Sequence, residues 1–581
     1  RDVERSRGLG DVYKRQVVTG RFGNITDSDM AMVAGSARAS GQNAVSVADG
    51  NRLAFDVSAL SSNPIFLVTG GESVAGASSG DSLSLSAQAS ASGNELSGVF
   101  GSVNSQSTDY VNLVAGNALA YGQNAVAAAD SNRLTFDVSS LLSSQHFAVT
   151  GGMSVTGLAN AASLFLSARA SASDNAVSGR FESISNSDIS MVAGSAAAYG
   201  QDAVASADGN RLTFEIATSV SNSTLEIQGG LAMAGSESGD LQSAQASASG
   251  NLVTGVVTGS VDQSSRLDIN GGRATAVAQD STAVADNNQV QLTLEETDGS
   301  MQLLLLGASA RALTTAVADG NLLRVSGGAD TAIKGTLYGA QVEIERSDSD
   351  SAQANASGNR VEVSGIDLTG SITGTLVENR NSLGSVNAEG NVVVISSSTI
   401  KADVTGANLQ GSHINAGGNT VILTEGTVVD GNVTAVVGAN AELARSSGGE
   451  FSSTYSNNRV VMNNATVTGA VSGVSSNSGS LPVDVQTAGN TLVLAGHNEA
   501  GSIEGFESLD LTLSEQNKDQ SVLTLTGGQS TLSDATIVIR GAEVLDQGKL
   551  FEAIDGAGLS VKDATVCLLY TSPSPRDLST S

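Results

Sequence analysis

GNRLAFDVS (residues 50–58), SNRLTFDVS (131–139) and GNRLTFEIA (209–217) decide the fold. In each, Asn follows a small turn residue, and apolar side chains then fall two, four and six positions later: Leu53, Phe55, Val57; Leu134, Phe136, Val138; Leu212, Phe214, Ile216. The intervening positions (Arg52, Ala54, Asp56 in the first copy) fill the other face. A period of two with β-branched and aromatic residues is that of a half-buried strand. No window shows a 3.6-residue period with helix caps.

The Asn phrase recurs at Asn51, Asn94, Asn132, Asn175, Asn210, Asn251, Asn288, Asn321, Asn359, Asn391, Asn419, Asn458 and Asn490, at spacings of 28 to 43 residues. Such a period is the mark of a solenoid, in which stacked units share one core. Longer text repeats as well. The stretch beginning MVAGSARASGQN at Met32 returns at Leu113 and Met191, offsets of 81 and 78 residues. Each copy is followed by a second stretch, SAQASASGN (86–94), SARASASDN (167–175) and SAQASASGN (243–251), so two half-units of about 40 residues alternate. In the second type Gly98, Gly179 and Gly255 replace the fourth-position apolar residue, which is expected to end the strand or to admit a close backbone.

The reading is therefore an all-β, elongated parallel β-solenoid (a right-handed β-helix by the default of parallel crossovers) with irregular loops. Asn51, Asn132, Asn210, Asn359 and Asn391 are expected at coil corners, many with positive φ, with the Asn amides stacked along the axis. At roughly 20 residues per coil, the repeat region predicts about 27 coils and about 130 Å of rod.

Both ends differ from the Gly- and Ala-rich middle. RGLGDVYKRQ near the start and CLLYTSPSPRD near the end can be encoded by the two strands of one duplex. Residues 1–16 and 567–581 are read as a translated sequencing adapter. Residues 17–500 are read as the repeat solenoid and 501–566 as its C-terminal end. The only cysteine, Cys567, falls in the adapter-like tail, and 17–566 carries 22 basic and 54 acidic residues. Sparse Lys and Arg argue against nucleic acid, and the acidic surface repels anionic membranes. Three per cent aromatics and no Trp leave few stacking anchors. Residues 501–566, with Leu509, Leu511, Leu513, Val522, Leu523, Leu525, Ile537, Val538 and Ile539, hold the densest apolar strands. Stability is expected to rise toward them.

Chemistry is not written in this chain. Gly80-Asp81-Ser82-Leu83 spells a serine-esterase signature, but its triad needs an Asp three residues before a His. Ser143, Gln410 and Leu494 precede His146, His413 and His497 instead. Asp49-Gly50-Asn51, Asp208-Gly209-Asn210 and Asp319-Gly320-Asn321 offer oxygens to calcium, yet turn chemistry accounts for all three. No zinc spacing, phosphate loop or basic–aromatic pattern is present. No catalytic, cofactor-binding or metal site is predicted, and no cofactor.

From about Val361 onward, GNTVILTEGTVVDGNVTAVVGA (418–439), TAGNTLVLAGHNEAGSIEGFESLDLTLSEQN (487–517) and the following SVLTLTGG resemble the passenger of bacterial autotransporters, the self-exporting proteins of the Gram-negative outer membrane. The resembling motifs are Asn490-Thr491-Leu492 and Ile503 with Phe506-Glu507-Ser508-Leu509. The resemblance implies a β-helical, non-catalytic rod on the cell surface or shed from it. Its partners would be molecules of a host or neighbouring cell, or other copies of the rod, and its only membrane contact a separate barrel. The GQNAVSVADGN phrase (41–51) is also similar to head repeats of trimeric autotransporter adhesins, although those run as short tandem coils. A β-helix enzyme acting on polysaccharide is the alternative of another class. It needs clustered carboxylates or a basic group in a groove.

Overall fold

The computed structural model describes residues 16–569, apart from residues 27, 62–64, 77–83, 105–109, 158–165, 236–241, 296–297, 329–330, 346–351, 381–383, 439–451, 477–484, 542–543, 545–551 and 557. The chain winds as a parallel β-solenoid. Each Asn opens a coil. A front strand follows the Asn (Arg52–Ser61, Glu95–Asn104, Arg133–Val138, Ala176–Ser185, Arg211–Ser221). A back strand comes next (Ile65–Gly76, Leu141–Thr156, Ser187–Ala198, Thr224–Gly235). A short alanine strand closes the coil (Ser84–Ser90, Ser167–Ser171, Asp202–Ser206, Ser243–Ser247). Every strand pairs in parallel with its counterpart one coil away.

The first column of the front sheet, inward except at its exposed last rung, gives the register. Val18, Leu53, Leu96, Leu134, Val177, Leu212, Val253, Val290, Leu323, Val361, Val393, Val421, Val460, Leu492, Leu509, Ile537 and Val566 are successive neighbours. These seventeen rungs correct the predicted coil count. A unit of 28 to 43 residues is one coil of three strands plus loops, so the described stack is about 80 Å long rather than 130. The column passes residue 500 without a break.

Two cores run side by side. Large side chains fill the space between the front sheet and the first half of the back sheet, and Leu53, Phe55, Leu134, Phe136, Leu212 and Phe214 all belong to it, as their strand position predicts. Alanines fill the space between the alanine sheet and the second half of the back sheet, where Ala168, Ala196, Ala203 and Ala232 are buried. Toward the C-terminus this second core takes larger residues, Val342, Val377, Leu409, Ile414 and Tyr455.

Between the cores runs the asparagine ladder. All thirteen Asn residues are fully buried. From Asn94 to Asn490 each Oδ1 accepts the main-chain N–H and the Nδ2 of the Asn one coil upstream, at 2.8–3.2 Å. The stacked amides were expected; the backbone assignment needs correction. None of the ladder Asn residues has positive φ. That conformation sits one residue earlier, at Gly50, Ser131, Asp174, Gly209 and Asn287 for example, with φ between 50° and 70°. The preceding residue makes the corner, and the Asn is thereby turned inward. Room for the amides comes from the back sheet, where a Cβ at Gly116 or Gly194 would meet the Nδ2 of Asn132 or Asn210 at 2.5 Å.

The glycines of the second half-unit do not end their strands. Glu95–Asn104 and Ala176–Ser185 each run ten residues through Gly98 and Gly179. The C-terminal segment is buried unevenly. Leu509, Leu511, Leu523 and Leu525 are buried, but Ile537 and Ile539 are only partly buried against the core. The strand Thr565–Leu569 is exposed along its whole length. The ring-to-ring contacts lie instead between Phe55 and Phe181.

Candidate binding surface

Outward positions of the front strands form columns as regular as the inward ones. Ser97, Thr135, Ser178 and Thr213 are successive neighbours. On one side stand Glu95, Arg133, Ala176 and Arg211; on the other Val99, Asp137, Arg180 and Glu215. Short hydroxylated residues between longer charged ones leave a trough that runs along the rod axis, across the strands. Two depressions shape it. One, of about 370 Å³, is lined by Phe55, Phe136 and Phe214 with Gly98 and Gly179, as well as by Ser97, Thr135, Asp137, Ser178, Arg180 and Glu215. The other, of about 400 Å³, is lined by Arg52, Glu95, Ser97, Arg133 and Thr135 among others, and shares Ser97 and Thr135 with the first.

The walls are held by ion pairs between coils. Arg180 lies 3.8 Å from Asp137 Oδ1 and 3.3 Å from Glu215 Oε1, and Arg52 Nε lies 2.9 Å from Glu95 Oε2. Exposed pairs of this kind add little stability, but they fix where each charge sits. Asp137 Oδ1 is shielded from solvent and accepts no hydrogen bond.

The candidate chemistry of the sequence falls elsewhere. Gly80-Asp81-Ser82-Leu83 lies outside the described residues. The histidines are on separate coils. His146 stacks on Tyr110 with ring centroids 4.9 Å apart. His413 opens the strand His413–Gly417, and the Nδ1 of His497 lies 2.8 Å from the Ser521 carbonyl oxygen. The carboxylates of the Asp-Gly-Asn triplets brace neighbouring coils. Asp49 Oδ1 accepts the Ser90 hydroxyl and the Ser92 N–H, both at 2.7 Å. Asp208 repeats this with Ser247 and Ser249. Asp286 Oδ1 accepts the Asp319 N–H at 2.8 Å, and Asp319 Oδ1 accepts the Ser357 N–H at 2.6 Å. Burial pushes the carboxyls of Asp286 and Asp319 above the ordinary carboxylate range. Among the described residues, no three His, Cys, Asp or Glu side chains gather as a metal set.

Sequence reasoning did not single out the trough. Its signal was nevertheless present, because the polar residues between the inward positions repeat with the same register. Among the described residues no helix is long and apolar enough to cross a membrane. No family model, curated protein or solved structure matches the chain.

Proposed function

We propose that the chain is the rod of an autotransporter-type passenger, displayed on or shed from a Gram-negative cell, working as a non-catalytic adhesive or spacer module. The observation that carries this reading is the unbroken in-register stack from Val18 to Val566. Such a stack repeats one lateral surface many times, so weak contacts add through effective concentration rather than through one deep site. The resemblance of residues 418–439 and 487–517 to passenger text supplies the cellular setting. Its partners would be surface molecules of a host or neighbouring cell, or a second rod.

The test is display. The chain, fused behind a signal peptide and ahead of an outer-membrane barrel, is placed on a non-adherent bacterium. Surface exposure with increased cell–cell or cell–surface attachment, relative to the barrel alone, is the expected outcome. Exposure without any attachment would remove the adhesive role.

A further inference from the structure

We propose that the outer face of the front sheet between Val392 and Ala495 is a pairing surface for a second copy of this chain, the two rods lying side by side and parallel. The proposal deepens the adhesive reading by naming the second rod as its partner.

The strands of this stretch are apolar on both faces. They read VVVIS (392–396), TVILT (420–424), RVVMN (459–463) and TLVLA (491–495). Their inner residues, Val393 and Ile395 in the first of them, belong to the large core. Between these, Val394, Ile422, Val461 and Val493 point outward and are successive neighbours. Parallel strands with continuous apolar runs are those covered on both sides. Here the back strands cover the inner side, while the four outer residues stay half-buried, open to solvent.

The strip is local. The same outward column holds Ser178, Thr213, Thr254 and Gln291 on earlier coils. Ion pairs close it at both ends. Arg324 and Arg360 hold Glu362 one coil before Val394, and Arg540 Nε lies 2.8 Å from Asp510 Oδ1, one coil after Val493. An apolar strip rimmed by polar residues is the form of an interaction surface.

Charge and register select the occupant. At a net charge of −30, two copies repel over most of their surface. This face carries Arg324, Arg360, Arg459 and Arg540 against Glu362 and Asp510, so that repulsion is absent from it. Arg459 stands exposed in the middle of the strip, with no carboxylate paired to it among the described residues. A two-fold axis along the rod sets each apolar outward residue opposite its own copy, Thr420 opposite Thr424, and Arg459 opposite the exposed Asn463 of the second rod. The guanidinium then donates to an amide oxygen, twice by symmetry, and no two like charges meet on these four coils. In an antiparallel pair Arg459 would meet only the shorter Thr420.

Four coils by one five-residue strand give a footprint of about 300 Å² per rod. A stable complex uses about 800 Å² per partner. A single pair is therefore weak, and rods held parallel on one surface gain through effective concentration.

Sedimentation velocity of the purified full chain over a wide concentration range tests this. A concentration-dependent dimer is expected for the parent, and for Thr282→Lys on the outer face of the alanine sheet. Val461→Lys puts a charge at the centre of the strip; it should keep the native circular dichroism and sediment as a monomer. Arg459→Glu should weaken association about tenfold. Arg459→Glu/Asn463→Lys should restore it, because the facing pair then meets with its donor and acceptor exchanged. No dimer of the parent, a dimer unchanged by Val461→Lys, or no recovery in the exchanged pair would overturn the surface. Such a failure with attachment retained in the display experiment leaves the adhesive rod standing. A dimer in solution without attachment on display removes the adhesive role and keeps the surface.

Discussion

Phe136 occupies the space that Gly179 leaves empty. The two residues are direct neighbours on adjacent front strands, and a Cβ at Gly179 would lie 2.2 Å from the Phe136 Cζ. Phe55 with Gly98, and Phe214 with Gly255, repeat the relationship at the same 2.2 Å. One column therefore reads Phe, Gly, Phe, Gly, Phe, Gly. The next inward column alternates the other way, Val57, Phe100, Val138, Phe181. Phe136 and Phe181 meet edge-on with ring centroids 5.2 Å apart. The two-coil repeat of the sequence is thus a volume alternation, because a ring on every coil of one column would overfill the core.

Gly179→Ala should destabilise these coils by about 1–3 kcal/mol through overpacking. Phe136→Leu alone should destabilise by a similar order through lost contact and a residual cavity. Together they should cost less than their sum, because the leucine withdraws the atoms that the new methyl meets. Denaturant unfolding of the four proteins measures the coupling; strict additivity would show that the ring and the glycine do not share space.

Asn210→Ala removes the acceptor for the Asn175 N–H and Nδ2 and the donor to Asn251. Leaving buried donors unpaired costs about 1–3 kcal/mol each. A loss of about 3 kcal/mol is expected, felt first as faster amide exchange at the coils on either side. An exchange pattern unchanged there would mean that the ladder is passive.

Glu507 ends the ladder. Its Oε2 accepts the Asn490 N–H at 2.8 Å, where a further Asn would otherwise stand, and its own N–H donates to the Asn490 carbonyl oxygen at 2.9 Å. Glu507→Ala should destabilise the C-terminal coils by about 1–2 kcal/mol, whereas Glu507→Gln, which keeps an acceptor, should cost less. Equal losses in thermal unfolding would show that the charge, not the acceptor, matters.

Because burial holds the Asp286 and Asp319 carboxyls above their ordinary range, the folded chain binds protons there more readily than the unfolded one. Their contribution to stability is full below the unfolded pKa and falls as pH rises through the folded one. Glu362 has the opposite sign. Burial raises its carboxyl, but bonds from Arg360 and Arg324 outweigh this and hold it low, so its contribution is lost as pH falls. Asp286→Asn keeps an oxygen for the Asp319 N–H and removes the charge. It should raise stability at neutral pH and flatten the acidic side of the profile; a variant less stable than the parent at pH 7 would contradict the assignment.

Hydrogen exchange should be slowest around Leu134, Phe136 and Phe181, where the rings pack, and fastest at Thr536–Arg540 and Thr565–Leu569. This reverses the gradient expected from apolar counting alone. Ile537, Val538 and Ile539 are apolar in sequence, yet lie near the end of the stack, where only one neighbouring coil lies between them and solvent. Stronger protection at Ile537 than at Leu134 would restore the original order.

The sequence by itself determined the class of the fold. A strand of period two after each Asn, returned every few tens of residues, has no other economical burial than a stack, and it put Leu53, Phe55 and their equivalents inside. It also put a corner beside each Asn, because turn chemistry is local, although the residue before the Asn makes it. Only the tertiary structure decided that one unit is one coil, since coil closure depends on strands far apart in the chain. The same holds for the inward turn of the Asn amides, which hinges on the φ of the residue before. Gly179 answers a ring 43 residues away, and Ser97, Thr135, Ser178 and Thr213 share one trough. Alternation fixes which face a residue takes; which residue stands beside it is set by register, and register is a property of the folded stack.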